Sequence, residues 1–371
     1  MKVFLGASGA VNPLGNTLPE IFSEMQTGKT GIKRSENAFG LGSDEYLGVI
    51  DEKLLPQNGE DKIYRMLEST LLQTVVQLSK PETLRSKSTR LIVCSTKGNI
   101  DQLEQGNSEG THLHLLGKYI KQKFDFSTEP LVISAACISG LLGIINGARM
   151  IQQGLADHVV VAGVDLVTKF TLSGFVSFYA TASGVSQPYD DKRDGINLGE
   201  ASASVVLSND KSIFNTANAT YLGGATANDA NHISGPSRTG EGLYRSIIHA
   251  INDASSDANS IDYISAHGTA TSFNDEMESI AFSRAGLSTV PLNSFKGYFG
   301  HTLGAAGLIE TLIGIESLRQ NILLKSYGFD TPGTSENINV LSQNLDGNYK
   351  RMLKTASGFG GSNAAAIFQK A

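Results

Sequence analysis

Residues 130–151, PLVISAACISGLLGIINGARMI, contain a cysteine where a thiol could act as a nucleophile. The apolar run 131–133 predicts a strand covered on both faces, and the apolar positions after Cys137 predict a helix. A cysteine at a helix N-terminus lies at the positive end of the helix dipole, which lowers a thiol pKa of about 8.5 toward a reactive thiolate. The alternative for Cys137 is a small, inert core residue, as free cysteines often are.

Three further loops carry polar or aromatic residues directly after predicted strands, where α/β folds usually place their sites. Their sequences are AHGTATSFNDEMES, KGYFGHTLGAAG and SGFGGSN, and their candidate residues are His267, Thr269, Thr271, Asp275, Glu278, Lys296, His301 and Phe359. Taken singly, each has a structural explanation: a core histidine, a buried ion pair or a tight turn. The presence of a cysteine, two histidines, a lysine and a glutamate in such loops favours one active site.

The elements that must position these residues include two similar units. Residues 133–154 and 293–320 each run from a strand end through a turn of small residues into a long apolar helix. The first unit presents Cys137 and the second presents His301. An internal duplication would place the two residues at equivalent corners facing one cleft.

The remaining pattern alternates short apolar strands with amphipathic helices. Strands are predicted at 2–5, 90–95, 158–164, 201–207, 219–225, 261–266 and 364–368, and helices at 17–25, 61–78, 111–124, 241–254, 275–285 and 308–319. The pattern breaks near residue 208, so we expect two halves, 1–208 with the cysteine and 209–371 with both histidines.

Composition excludes several classes of protein. The chain has 371 residues, a net charge of -6 and 18% charged residues, which argues against a nucleic-acid-binding protein and against global disorder. Cys94 and Cys137 form no disulfide framework, which suits a reducing compartment. The N-terminal apolar run is too short for a signal peptide, and no window reaches transmembrane length. These features predict a cytoplasmic protein without a membrane segment.

The motifs resemble those of the β-ketoacyl-ACP synthases of the condensing-enzyme (thiolase-like) superfamily, in their Cys-His-His elongating form. They occur in the family's order across almost the whole chain: AACISG, QPYDDKRDGINLGEA, DANHISGP, HGTAT with ND and E following, K with GHTLGAAG, and GFGGSNAA. The resemblance implies a five-layered αβαβα sandwich of two similar α/β halves. It also implies an acyltransferase that condenses an enzyme-bound acyl thioester with malonyl-ACP, with loss of CO₂, in fatty-acid or polyketide synthesis.

The resemblance also assigns roles to the candidate residues. Cys137 would accept the acyl chain, and His267 and His301 would stabilise the enolate formed during decarboxylation. The backbone N–H groups of Cys137 and Phe359 would form an oxyanion hole, with the Phe359 ring as a gate. Lys296 would form an ion pair with Glu278 that holds the histidine region in place, with support from Asp275. Thr269 and Thr271 would bind the phosphopantetheine arm, and His232 would contact the extender unit. Neither a metal nor a redox cofactor is implied.

The chain departs from the family in length. Residues 96–126, after the strand at 90–95, replace a longer excursion that in the family lines the acyl pocket and the dimer interface, so chain length and primer stay open. The shortening suggests a secondary pathway, such as polyene or pigment synthesis. Three alternatives remain. A thiolase would need a second catalytic cysteine near the C-terminus, and a CoA-primed synthase would have an asparagine in place of His301. A non-catalytic chain-length-factor-like subunit would lack Cys137.

The resemblance implies acyl carrier protein as a partner and a homodimer or a heterodimer with a related subunit. An acyl carrier protein is acidic, so docking needs a local basic patch despite the net negative charge of the chain. Lys62 with Arg65, or Lys192 with Arg193, are the candidates from the sequence. Solvated helix faces would look the same, so both pairs remain open.

Overall fold

The computed structural model describes residues 1–229 and 235–371. The strands in these residues are β1 (Val3–Val11), β2 (Lys33–Ser35), β3 (Glu45–Leu47), β4 (Thr89–Cys94), β5 (Leu131–Ile133), β6 (His158–Asp165), β7 (Ala201–Ser208), β8 (Ala217–Asn228), β9 (Tyr263–Ser265), β10 (Leu292–Asn293), β11 (Ile322–Leu323), β12 (Leu345–Asp346), β13 (Arg351–Gly358) and β14 (Ser362–Lys370). The helices are α1 (Leu18–Gln26), α2 (Lys62–Val75), α3 (His114–Phe124), α4 (Ser139–Gln152), α5 (Lys169–Ser177), α6 (Glu241–Asp253), α7 (Ser272–Arg284), α8 (Lys296–Phe299) and α9 (Ala306–Gln320).

The large sheet consists of two five-stranded halves with the same topology. Its order is β10-β9-β13-β14-β8-β1-β7-β6-β4-β5, and the halves join where β1 pairs with β8. In the first half, β5, β4 and β6 pair in parallel, and β7 and β1 then continue the half with antiparallel pairing. In the second half, β10, β9 and β13 pair in parallel, and β14 and β8 then continue it with antiparallel pairing. β5, which precedes Cys137, is therefore equivalent to β10, which precedes His301, so the predicted internal duplication is confirmed. The proposed domain boundary at residue 208 stays a prediction.

Five layers follow from the packing of the helices on this sheet. The helices α4 and α9 contact each other and strands of both halves, so they form the central layer. α2 and α3 cover the outer face of the first half, while α6 contacts the second half and α7 packs beside it. Separate apolar clusters fill the spaces beneath these outer helices. The fold is the expected five-layered α/β sandwich.

The two central helices approach closely because glycines lie at their contact. A Cβ on Gly140 of α4 would lie 2.7 Å from the backbone nitrogen of Leu308, and a Cβ on Gly307 of α9 would lie 2.7 Å from that of Leu141. Contacts below 3.0 Å would force the helices apart. The glycines therefore bring the N-termini of α4 and α9, and with them Cys137 and His301, together.

Some local predictions differ from the structure. The strand at 131–133 is not covered on both faces: β5 is the edge of the sheet, and Leu131 is 42% exposed. The helix predicted at 111–124 begins at His114, and the helix predicted at 275–285 begins earlier, at Ser272. Among the residues that the structure describes, no helix combines the length and the apolar character needed to cross a membrane.

Candidate active site

Cys137 lies in a strained turn between β5 and α4. Ala136 has a φ of 47°, a left-handed conformation that is strained for residues other than glycine and most of all for β-branched ones. The Ser139 hydroxyl accepts a hydrogen bond from Ala135 N–H (2.8 Å) and donates one to the Ala136 carbonyl (2.6 Å), which closes the turn. Ile138 is the N-cap residue of α4, so the thiol of Cys137 lies at the N-terminal end of this helix, as the sequence predicts.

The structure brings the thiol together with both predicted histidines. The Cys137 sulfur and ring nitrogens of His267 and His301 lie within 4.8 Å of one another. The two imidazole rings are 5.2 Å apart between centroids and nearly perpendicular, at 81°. All three residues are buried. The expectation that the site works without a metal ion stays a prediction.

The hydrogen bonds of His301 indicate which ring nitrogen carries the proton. Its backbone N–H donates to the Asn197 carbonyl (2.7 Å), and its Nδ1 accepts from Leu303 N–H (3.3 Å). Since Nδ1 accepts, the neutral ring carries its proton on Nε2. That Nε2 is buried and has no hydrogen-bond partner among the described residues, so it is available to a substrate oxygen.

His267 has a comparable arrangement. The Lys296 ammonium lies 3.3 Å from its Nδ1 and also donates to its backbone carbonyl. An ammonium group can only donate, so Nδ1 accepts and Nε2 carries the proton in the neutral ring. Two N–H donors therefore belong to one site beside the thiol.

Burial sets the protonation states of these groups. Desolvation lowers the pKa of His267 and of His301 well below the usual value, and the Lys296 and Lys354 ammonium groups lower both further. Both rings are therefore neutral near pH 7. Desolvation raises the pKa of the Cys137 thiol to about 12, although Lys296 opposes this rise. The pKa of the thiol is therefore raised and not lowered as predicted, because desolvation outweighs the opposing charge of Lys296.

The predicted ion pair between Lys296 and Glu278 is also wrong. The Lys296 Nζ lies 2.7 Å from Glu310 Oε1, on the helix α9. Glu278 instead accepts hydrogen bonds from the backbone N–H groups of His267 (2.9 Å) and Gly268 (2.6 Å). Its carboxylate is satisfied by the loop that carries His267, so it positions that loop directly rather than through a lysine.

Asp275 positions the next part of the same loop. Its carboxylate accepts from the N–H groups of Thr269 (2.9 Å) and Tyr189 (2.7 Å), and burial together with Glu278 raises its pKa to about 6. The hydroxyls of Thr269 and Thr271 are 2.8 Å apart, and both residues line the same cavity as Cys137, His267 and His301. Their position is compatible with the expected contact to a substrate arm.

Phe359 lies at the opening of this cavity, in the turn between β13 and β14. The centroid of its ring lies 5.8 Å from that of Phe175, on which it stacks, and 6.2 Å from that of Phe178. Phe359 is 46% exposed. A Cβ on the preceding Gly358 would lie 3.1 Å from the Cys137 backbone nitrogen. The backbone beside Phe359 therefore approaches Cys137 closely.

The cavity has a volume of about 400 Å³ and reaches the cluster from the surface. Cys137, His267 and His301 line it, and exposed aromatic side chains, Phe178, Tyr179 and Phe273, surround its opening. His232, the remaining predicted substrate contact, lies outside the described residues. A ligand with a long, thin end could enter the cavity and reach the thiol.

Sequence reasoning missed Lys354. This lysine lies on β13, is fully buried, and its Nζ is 2.7 Å from Glu310 Oε2. The signal was present in the sequence, because a lysine in the segment RMLKTAS needs a partner if that segment forms a central strand.

Two of the suggested docking residues are poorly exposed. Arg65 is buried and pairs with Glu52, and the Arg193 guanidinium donates to the carbonyls of Asp190 and Gly333. Lys62 pairs with the buried Glu200 at 2.6 Å. Lys62 and Arg65 are therefore both held in ion pairs, Lys62 with the buried Glu200 and Arg65 with the exposed Glu52.

Comparison with known proteins agrees with this geometry. Residues 83–212 match the model of the β-ketoacyl synthase N-terminal domain, and residues 218–330 match that of the C-terminal domain. The chain belongs to the β-ketoacyl synthase family. It is therefore a condensing enzyme of the acyltransferase class, and its fold is thiolase-like.

Individual relatives extend over most of the chain. A 3-oxoacyl-[acyl-carrier-protein] synthase 2 of Vibrio harveyi is 26% identical over 100% of this chain and 98% of its own. The tetracenomycin polyketide synthase ketoacyl synthase alpha subunit of Streptomyces glaucescens is 30% identical over 64% of this chain and 59% of its own. A ketosynthase solved in complex with its chain length factor, from Xenorhabdus doucetiae, superposes with a TM-score of 0.89 at 24% identity, over 100% of this chain and 98% of that one. This last likeness concerns the fold.

Proposed function

We propose that this chain is a 3-oxoacyl-ACP synthase that carries out decarboxylative Claisen condensation of an acyl thioester on Cys137 with malonyl-ACP. The observation that carries the proposal is the convergence of a thiol and two neutral histidines at the end of one cavity. Relatives named for this activity match the whole chain, which supports the choice of carrier-bound substrates.

The first half-reaction transfers the acyl chain. The Cys137 sulfur attacks the carbonyl of acyl-ACP, the bond from that carbonyl to the pantetheine sulfur breaks, and the thiol proton passes to the leaving pantetheine sulfur. The backbone N–H groups of Cys137 and Phe359 stabilise the oxyanion of the tetrahedral intermediate. Deprotonation has to occur during the attack, because the resting group with a pKa of about 12 is a thiol.

The second half-reaction forms the carbon–carbon bond. Malonyl-ACP loses CO₂, and the electron pair of the broken bond forms an enolate whose oxygen accepts from the Nε2–H groups of His267 and His301. The enolate carbon attacks the acyl thioester and releases the Cys137 sulfur, which takes up a proton from solvent. Two neutral donors suit this step, since they stabilise a charge that develops only during reaction.

The other predicted residues assist these steps. The Phe359 ring gates access to the thiol, while Thr269 and Thr271 bind the phosphopantetheine arm carried by the substrate. Lys296 positions His267 through its contacts with the ring and the backbone carbonyl. The proposed reaction uses no resident redox cofactor or metal ion.

We propose further that the enzyme acts as a dimer through the exposed edge strand β5, with an acyl carrier protein as its substrate carrier. Leu131 leaves an apolar side chain on an unpaired strand edge, which favours pairing with a second subunit. One ketosynthase of the same fold has been solved with its chain length factor and another with its acyl-carrier protein, which supports a heterodimer and a carrier-protein partner. A homodimer is the alternative. Lys192 remains the exposed candidate residue for docking of the acyl carrier protein. We expect the protein to be located in the cytoplasm.

Intact-protein mass spectrometry after mixing with acyl-ACP tests the proposal. We expect one acyl adduct on the wild-type protein, none on Cys137→Ala, and an unchanged adduct on Cys94→Ala, a matched control because Cys94 is buried away from the cavity lining. Failure of every primer to load on a folded protein would favour the chain-length-factor-like alternative. Comparison of short, medium and aryl primers would test the proposed secondary pathway, which a preference for long saturated chains would contradict.

A further inference from the structure

Two buried lysines, not one, hold the backbone that leads to His267. Lys354 Nζ donates to the carbonyls of Ser265 (3.2 Å) and Ala266 (3.2 Å), and Lys296 Nζ donates to the carbonyl of His267 itself. Three successive carbonyls therefore accept from two ammonium groups that belong to different elements, β13 and α8.

One carboxylate joins these lysines. Glu310 Oε1 lies 2.7 Å from Lys296 Nζ, and Glu310 Oε2 lies 2.7 Å from Lys354 Nζ. All three side chains are at most 1% exposed. Because a buried charge without a partner is costly, each lysine depends on this carboxylate and on the carbonyls around it.

Lys354 supplies one of the two buried positive charges beside the His267 loop. Lys296 and Lys354 contribute two positive charges, whereas the buried acids around the same loop are Glu310, Glu278 and Asp275. Without Lys354, the wall behind His267 would carry an excess negative charge. Such a charge opposes an enolate and favours protonation of the imidazole rings.

We propose that Lys354 is a positioning residue for the condensation reaction, which holds the backbone before His267 and balances the charge of Glu310, so that both catalytic histidines stay neutral and oriented. Protonation would place a proton on the Nδ1 atoms, against the Lys296 ammonium at His267 and against Leu303 N–H at His301. The orientation of both rings would then be lost. The inference rests on the proposed function.

The pKa shifts agree with this geometry. Lys354 lowers the pKa of both His267 and His301, although burial contributes more. Burial lowers the pKa of Lys354 itself, while Glu310 and Glu278 raise it and Lys296 lowers it further. The groups that face Lys354 from α7, α8 and α9 are therefore Glu278, Lys296 and Glu310.

A set of charge variants tests the proposal. Lys354→Met removes one positive charge, Glu310→Gln removes one negative charge but keeps an acceptor, and the double variant restores the balance. Met352→Leu is the matched control, because Met352 lies two residues away on β13 and also packs against α9. The measurement is malonyl-ACP decarboxylation as a function of pH.

Since the neutral rings are required, activity falls as pH decreases through the histidine pKa values. We expect the acidic limb of the profile to move up by about one pH unit in Lys354→Met, as expected for the loss of one nearby charge. It should move down in Glu310→Gln and return toward the wild-type position in the double variant. The Met352→Leu profile should match the wild type.

Histidine titration by NMR on ¹⁵N-histidine-labelled protein gives a second readout that needs no substrate. If decarboxylation is absent but the His267 and His301 titrations shift between variants, the proposed function fails, and only the control of the histidine protonation states by Lys354 stands. If Lys354→Met does not fold, the double variant compared with Glu310→Gln isolates the lysine, and its limb should lie at higher pH. Identical limbs and titrations in all folded variants, with only the maximum rate changed, would overturn the proposal.

Discussion

Replacement of His301 by alanine should slow decarboxylation of malonyl-ACP much more than acylation of Cys137. The Nε2 of His301 is buried, has its proton fixed there by the Leu303 N–H, and lacks a partner among the residues described. It is therefore one of two donors that the enolate oxygen can use. Loss of one such donor costs about 10²–10³ in rate, or about 2.7–4 kcal/mol of transition-state stabilisation.

The assay separates the two half-reactions. Release of CO₂ from malonyl-ACP reports the histidine donors, and burst acylation of Cys137 by acyl-ACP reports the thiol and the backbone oxyanion hole. His301→Gln should retain more decarboxylation than His301→Ala, because the amide of glutamine still offers an N–H donor. His249→Ala, at an exposed position on α6, is the control and should behave as wild type.

Decarboxylation of malonyl-ACP by His301→Ala at nearly the wild-type rate would refute the role of His301 as an enolate donor. Equal losses in both half-reactions would also refute this role, because His301 would then act on the thiol or on the fold and not on the enolate. Thermal unfolding of each variant distinguishes these cases from simple loss of structure.

Three further predictions follow from the geometry. Below the unfolded-state histidine pKa of about 6.5, the free energy of unfolding should fall by up to about 1.4 kcal/mol per pH unit for each of His267 and His301, since their lowered pKa values make the unfolded chain bind protons first; urea unfolding at several pH values measures this. Ala136→Val should destabilise the protein by about 1–3 kcal/mol and slow acylation, because a β-branched residue at a φ of 47° is strained; urea unfolding and the acylation burst report the two effects. Gly307→Ala should reduce stability and condensation by forcing α4 and α9 apart, whereas Gly174→Ala, with open space around it, should do neither; thermal unfolding and turnover are the measurements.

Each of these has a contradicting result. A pH slope unchanged by His267→Asn would mean that the histidine does not control acid stability. Wild-type acylation by Ala136→Val would remove the role assigned to the turn. Equal behaviour of the two glycine variants would show that the helix contact does not set the distance between the thiol and the imidazole.

The sequence was sufficient for the parts of the site that depend on chain order. Cys137 and His301 lie at equivalent corners because the two repeated units have the same strand order, and His267 follows a strand of the same parallel set. Small residues at those corners are visible in the sequence. Convergence of the three residues could therefore be predicted before the structure.

The partner of Lys296 could not be predicted from spacing. Glu278 and Glu310 are both buried acids near the histidine loops, and only the packing of α9 against α8 and β13 shows which one reaches the lysine. The role of Lys354 depends on the same packing. The thiol pKa likewise depends on burial, which the position at a helix N-terminus does not reveal.

The exposure of β5 depends on its place in the sheet. A short apolar run predicts a strand but not whether that strand is central or at the edge of the sheet. An edge strand that pairs with another subunit is as rich in apolar residues as a central strand. The exposed Leu131 is thus a property of the tertiary structure that periodicity alone does not show.

The most direct test of the central claim is formation of the carbon–carbon bond. Wild-type protein loaded with an acyl chain and then given malonyl-ACP should yield 3-oxoacyl-ACP two carbons longer than the primer, with one CO₂ released per product and free Cys137 regenerated. An acylated Cys137 that persists after malonyl-ACP is added, with no 3-oxoacyl product detected by mass spectrometry, would contradict the account.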